Sequence, residues 1–168
     1  TFHYAYDTYM LANGTGKTVT ENGATNWQII YPDYAFGQDM NKSFTTAIEA
    51  AGGTVGGHIA TPFPNDNFST FLTKAAAESP DVIGTMQAGG DLINLVKQYG
   101  EAGLADQGIG LAVGLMFITD IHSLGVEPFK GVTFTDAWYW NMDDEAREWA
   151  DKFLEETGGR PSFAHAGN

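Results

Sequence analysis

The sequence predicts an α/β fold: a mainly parallel sheet with helices on both faces. Two observations carry this reading. Short apolar runs, of which Trp27-Gln28-Ile29-Ile30-Tyr31 is the clearest, alternate with longer segments whose apolar residues recur at helical spacing. Strands that alternate with helices in this way run parallel and are joined by right-handed crossovers. The 168 residues suffice for one sizeable core, and 43% hydrophobic with 17% charged residues are globular proportions, so residues 1–168 read as one compact unit.

The elements follow in order. Residues Phe2 to Tyr6 read as a short strand, and Tyr9 to Glu21 as a helix weakened by Gly14 and Gly16, each worth about 1 kcal/mol against Ala in a helix interior. Strands are expected at Trp27–Tyr31, Thr54–Thr61, Asp81–Met86, Ile109–Leu115 and Gly131–Trp138. Helices are expected at Gln38–Ala51, Phe68–Glu78, Asp91–Glu101 and Asp144–Thr157. Met40, Phe44, Ala47, Ile48 and Ala51 form one apolar stripe, Phe68, Phe71, Leu72, Ala75 and Ala76 another, Leu92, Leu95, Val96 and Tyr99 a third, and Ala146, Trp149, Ala150, Phe153 and Leu154 a fourth. Gly52-Gly53 stops the first of these helices, and Asp143-Asp144-Glu145 starts the last, where acidic side chains meet the amino-terminal dipole.

Charge and motifs exclude several function classes. Eight Lys and Arg against 21 Asp and Glu give a net charge of −13, which opposes binding to nucleic acid or an anionic membrane surface. With no cysteine there is no disulfide or thiol chemistry. The four histidines stand singly, without a second ligand at metal-binding spacing, and no cofactor is implied. No serine sits in a Gly-x-Ser-x-Gly elbow. Gly14-Thr15-Gly16-Lys17-Thr18 ends like the phosphate loop of a nucleotide hydrolase, but Leu11 stands where that loop needs its first glycine. These residues read instead as a helix with small residues on its surface.

What remains is aromatic. In parallel sheets ligands sit at the carboxyl ends of the strands. Those ends carry Tyr31, Tyr34 and Phe36 on one loop, Phe117 on another and Trp138-Tyr139-Trp140 on a third, a set suited to a small organic solute. The glycines of Ala88-Gly89-Gly90-Asp91 allow a ligand to approach the backbone, while Asp91 reads either as a ligand contact or as the cap of the following helix. The candidate binding residues are thus Tyr34, Phe36, Ala88, Gly89, Asp91, Phe117 and Trp138, with no catalytic residue and no metal ligand.

Four stretches together resemble a known family. They are Tyr31-Pro32-Asp33-Tyr34-Ala35-Phe36-Gly37-Gln38 before a helix ending in Gly52-Gly53, Pro64-Asn65-Asp66-Asn67-Phe68-Ser69 before a second, Ser79-Pro80-Asp81-Val82-Ile83, and Glu101-Ala102-Gly103-Leu104 at the end of a third. In this order and spacing they resemble the solute-binding proteins of branched-chain amino acid type ABC importers, which have the type I periplasmic binding fold. Tyr6-Asp7-Thr8-Tyr9, Phe117-Ile118-Thr119-Asp120 and Ala137-Trp138-Tyr139-Trp140 resemble a branch of that family in soil bacteria, some of whose members take up aromatic or other organic acids.

The resemblance implies two lobes closing on a solute, of which this chain is similar to the second, with residues 1–6 and 162–168 near the hinge crossings. It implies a non-enzymatic, periplasmic or membrane-tethered protein whose partners are a small-molecule solute, the membrane permease and the first lobe. A ligand-sensing receptor domain of the same fold is the alternative. It matches Tyr34 to a ligand-contacting tyrosine, and places Ala88–Gly90 in a loop where amino-acid binders often carry an aromatic. It also puts Gly114 near an acidic residue that holds the ligand's ammonium group. With glycine there, an organic acid is expected over an amino acid.

Overall fold

The computed structural model describes residues 5–167. A first helical segment, α1, is built of Thr8–Leu11, a π-helical stretch Ala12–Lys17 and Thr18–Glu21. Then follow β1 (Asn26–Pro32), α2 (Ala35–Ala50), β2 (Thr54–Thr61), α3 (Ser69–Ala76), β3 (Val82–Thr85), α4 (Gly89–Glu101), β4 (Gly110–Val113), α5 (Ile118–Leu124), β5 (Val132–Phe134), α6 (Asp144–Thr157) and α7 (Phe163–Ala166). The strands form one parallel sheet in the order β2-β1-β3-β4-β5.

Side-chain alternation along the central strands feeds two cores. Ile29, Val82 and Ala112 point to one face, where they pack with Trp27, Met40, Phe44 and Leu11 beneath α1 and α2. Ile30, Ile83 and Leu111 point to the other, against Leu72, Leu92, Leu95 and Val96 of α3 and α4. The order 2-1-3 places β1 between strands that the chain reaches in opposite directions, so a topological switch point lies at the carboxyl ends of β1 and β3.

Several expectations are corrected. The strand at Phe2 to Tyr6 falls mainly outside the described residues, and Ala5 and Tyr6 within them pair with no strand. The expected surface glycines of α1 are packed inward. Thr15 and Gly16 are buried, a Cβ at Gly16 would lie 3.1 Å from the Phe44 ring, and Thr15 Oγ1 meets Thr135 Oγ1 at 2.8 Å. This stretch is helical backbone laid against the sheet, which leaves no phosphate-wrapping loop.

The last strand is shorter than Gly131–Trp138, because Asp136 Oδ1 accepts the Trp138 N–H at 3.1 Å and turns the chain away from the sheet. Helices α5 and α7 were not expected. In contrast, Thr54–Thr61 and Asp144–Thr157 fall within their expected bounds, the latter opened by Asp143 Oδ1 accepting from Ala146 N at 2.8 Å and closed by Gly158 at φ 77°.

Candidate functional site

At the carboxyl end of β1 the Asp33 N–H donates to the Thr61 carbonyl at 2.9 Å and the Tyr34 N–H to the Pro32 carbonyl at 2.9 Å, which folds the chain sharply into α2. This turn needs Gly37, since a Cβ there would lie 2.0 Å from the Pro32 carbonyl oxygen. Tyr34 is the extended residue that precedes α2, and its ring stands 36% exposed at the strand edge. It stacks on Phe63 from the loop after β2, with centroids 4.5 Å apart and planes 29° apart, and lies 5.9 Å from Phe36. Phe63 is the member of this trio that the sequence did not single out, because it sits between two prolines in a segment read only as a strand end.

Beside it, the loop after β3 approaches through Ala88, the extended residue before α4, and Gly89, whose φ of 56° suits glycine. A side chain at Gly89 or Gly90 would meet nothing within 4 Å, so the backbone here borders open space. Asp91 is not the cap. It lies in the first turn of α4, nearly buried, and its Oδ2 accepts the Asn65 N–H at 2.9 Å, which ties the loop after β2 to α4. Partial burial, then the charges of Asp91 and Tyr6, hold the Tyr34 phenol above its ordinary range, so its hydroxyl is a proton donor at neutral pH.

Gln87 was also missed. It is fully buried, with its Nε2 donating to Thr61 Oγ1 at 2.9 Å. Thr61 Oγ1 has one proton and gives it to the Tyr31 carbonyl at 3.3 Å, so it can only accept from Gln87, and the amide orientation is fixed. Gln87 Oε1 is consequently a buried acceptor without a partner among the described residues, at the floor of the switch point.

Phe117 heads α5 and stacks on Phe163 at 5.0 Å, while Tyr6 meets both rings edge-on at 6.3 and 5.2 Å. Asp120 accepts the Phe117 N–H at 2.8 Å, and burial raises its carboxyl above the usual range. Trp138 belongs to a third group: its ring meets Trp149 of α6 at 5.4 Å and 86°. Among the described residues the aromatics of the three strand-end loops therefore form separate ring clusters, with Tyr34 and Phe36 in one, Phe117 in the next and Trp138 in the last.

Among the described residues no group of His, Asp and Glu is placed to hold a metal ion. No described helix is long and apolar enough to cross a membrane.

The sequence matches the family described as periplasmic binding protein over residues 1–168. The chain belongs to that family. Among solved structures it is similar to a periplasmic binding protein from Burkholderia mallei, with 39% identity and a TM-score of 0.92 over 98% of this chain and 44% of that one. It is also similar to a branched chain amino acid ABC transporter periplasmic ligand-binding protein from Burkholderia xenovorans, with 28% identity, a TM-score of 0.90 and the same coverage. An ABC transporter solute binding protein from R. palustris, solved in complex with benzoate, shares the fold at 22% identity and a TM-score of 0.86, over 99% of this chain and 46% of that one. No curated protein matches at a significant level. The chain thus spans less than half the length of the solved binding proteins it matches, and it forms one lobe of the type I periplasmic binding fold.

One further feature of this lobe bears on what it can hold. Gly114, which follows β4, is closely packed: a Cβ there would lie 2.6 Å from Met40 Cε and 2.8 Å from Met86 Sδ, so a side chain enters only by displacing these two side-chain ends. Two thioethers fill the space from which a residue at 114 would otherwise reach out.

Proposed function

We propose that this lobe is part of the substrate-binding component of an ABC importer, and that it captures a small organic acid, preferably aromatic, at the switch point between β1 and β3. In this reading it is the carboxyl-terminal of two lobes, residues 1–6 and 162–168 lie near the crossings between them, and the protein works in the periplasm without catalysis. The Tyr34–Phe36–Phe63 group gives the solute's ring a flat apolar wall, the open backbone at Gly89–Gly90 allows close approach, and the neutral Tyr34 hydroxyl donates to its carboxylate. Ligand contacts made by both lobes would favour the closed form, which the membrane permease would then receive.

The observation that carries the ligand class is Gly114. The family resemblance puts an ammonium-holding acid near this position, and here Met40 and Met86 occupy its space. Asp91, whose charge acts on the Tyr34 phenol, has one oxygen engaged by the Asn65 N–H. The structural neighbour solved with benzoate is consistent with an aromatic acid, while the Burkholderia xenovorans neighbour is named for branched-chain amino acids. Calorimetry of the intact protein with pairs that differ only in the amino group, 3-phenylpropanoate against phenylalanine and phenylacetate against phenylglycine, tests the reading. The acids bind tighter if it holds, and tighter binding of the amino acids overturns it.

A further inference from the structure

Where the chain leaves β5 and enters α6, a groove of about 430 Å³ opens between Trp138, Trp149, Met142, Asp143 and Glu145. That volume suits a small ligand. The two indoles stand perpendicular at 5.4 Å, and Trp149 is 38% exposed. Both charged residues in the lining are acidic, and among the described residues no basic side chain lines the groove. Arg147, one turn along α6, is drawn off by Asp144 and by Asn141 Oδ1 at 3.1 Å. Asp143 spends one oxygen on the helix cap, whereas Glu145 is exposed and has no hydrogen bond or ion pair among the described residues. The positive end of α6 amounts to about half a charge, which the two full carboxylates outweigh.

We infer that this groove is a second binding site, separate from the Tyr34–Phe63 wall at the switch point, and that it takes a methylated ammonium ion. Indole faces attract cations within about 6 Å of the ring centroid, and the attraction grows as the cation sheds water. A primary ammonium would give up strong hydrogen bonds with water for a wall in which indole, thioether and methyl groups alternate with two carboxylates. A quaternary ammonium has no N–H to satisfy, loses little hydration, and still gains from Asp143 and Glu145. The same segment already uses this chemistry internally, since the Arg160 guanidinium lies 4.4 Å from the centroid of the Trp140 ring.

The test titrates the intact protein with choline and with its neutral isostere 3,3-dimethylbutan-1-ol at constant ionic strength, following the indole N–H resonances. Choline is expected to give a saturable shift at Trp138 and Trp149, with the isostere at least tenfold weaker. Glu145→Gln is expected to weaken choline several-fold and leave the isostere unchanged, and Trp149→Ala to abolish the choline shift. Because Trp149 also packs on Phe153 at 5.4 Å, its variant can loosen α6, and the exposed Glu145 variant carries the test on its own. Equal binding of the two probes, no saturation, or an unchanged choline affinity in Glu145→Gln overturns the inference. Benzoate, added as a competitor and read separately at Tyr34, should leave the choline affinity unchanged. Displacement of choline by benzoate would merge the groove with the solute cleft and overturn its separateness, whereas failure of benzoate alone to bind would count only against the proposed function.

Discussion

Tyr34 stacks on Phe63 at 4.5 Å, joining the loops that follow β1 and β2 in a single aromatic surface at the edge of the sheet. Both rings remain partly exposed, at 36% and 55%, so neither is a core residue of the lobe. Tyr34→Ala in the intact protein is expected to cost about 1–3 kcal/mol of solute affinity, as central aromatic anchors do. Phe63→Ala should cost part of that, because it removes the ring that fixes Tyr34. Melting temperatures should move little in either variant. A large drop in melting temperature with unchanged affinity would assign the pair to structure instead.

Binding should depend on both lobes. In the proposed architecture this lobe offers only one wall of the cleft, and a ligand favours closure only through contacts on both sides. The chain produced alone is expected to bind the preferred acid far more weakly than the intact protein. Equal affinities in side-by-side calorimetry would contradict the two-lobe arrangement.

Two glycines near the cleft should respond differently to alanine. At Gly37 the new Cβ meets the Pro32 carbonyl oxygen, a backbone atom that cannot move without shifting β1, so Gly37→Ala is expected to destabilise by about 3 kcal/mol. At Gly114 the nearest atom is Met40 Cε, the end of a flexible side chain, so Gly114→Ala should cost about 1 kcal/mol. Urea denaturation of the two variants would separate these outcomes, and a reversed order would contradict the packing described.

Asp136 gives a pH-dependent prediction. Burial raises its carboxyl above the ordinary range, and this outweighs the lowering by the N–H groups of Trp138 and Ala137. Its folded value lies above its unfolded one, so its stabilising contribution is present at low pH and is lost as pH rises through the folded value. Asp136→Asn keeps an acceptor for Trp138 and removes the buried charge. The variant should therefore gain stability over the parent at pH 7, and the gain should vanish near pH 3. Thermal melts at both pH values check this, and a gain confined to pH 3 would reverse the sign.

How far the site was legible in the sequence depended on element length and on contacts across the sheet. The stripe Ala146, Trp149, Ala150, Phe153 and Leu154 repeats over more than two turns of a helix bounded by Asp143 and Gly158, so α6 could be read from end to end. Helix α5 has seven residues, too few to display a stripe, and the apolar run Leu115-Met116-Phe117 before it resembles a continued strand. The strand-end loops that carry Tyr34, Ala88 and Phe117 followed from the alternation of strands and helices. Which ring meets which did not, because the stacking of Tyr34 on Phe63 and the turn of Trp138 toward Trp149 depend on side-chain packing between distant segments. Asp91 illustrates the same limit. A helix cap and a tie to another loop use the same residue type at nearly the same position, and only the Asn65 N–H distinguishes them. Gln87 gave no signal, since a lone amide acquires meaning only when its partner Thr61 is already committed elsewhere.

The claim that matters most is the placement of the solute at the switch point between β1 and β3. Amide and side-chain resonance mapping of the intact protein during a benzoate titration tests it most directly. The largest shifts are expected at Tyr34, Phe63 and Ala88 to Asp91, with saturation at one common affinity. Shifts concentrated on α3 or α6, with these residues silent at saturation, would contradict it.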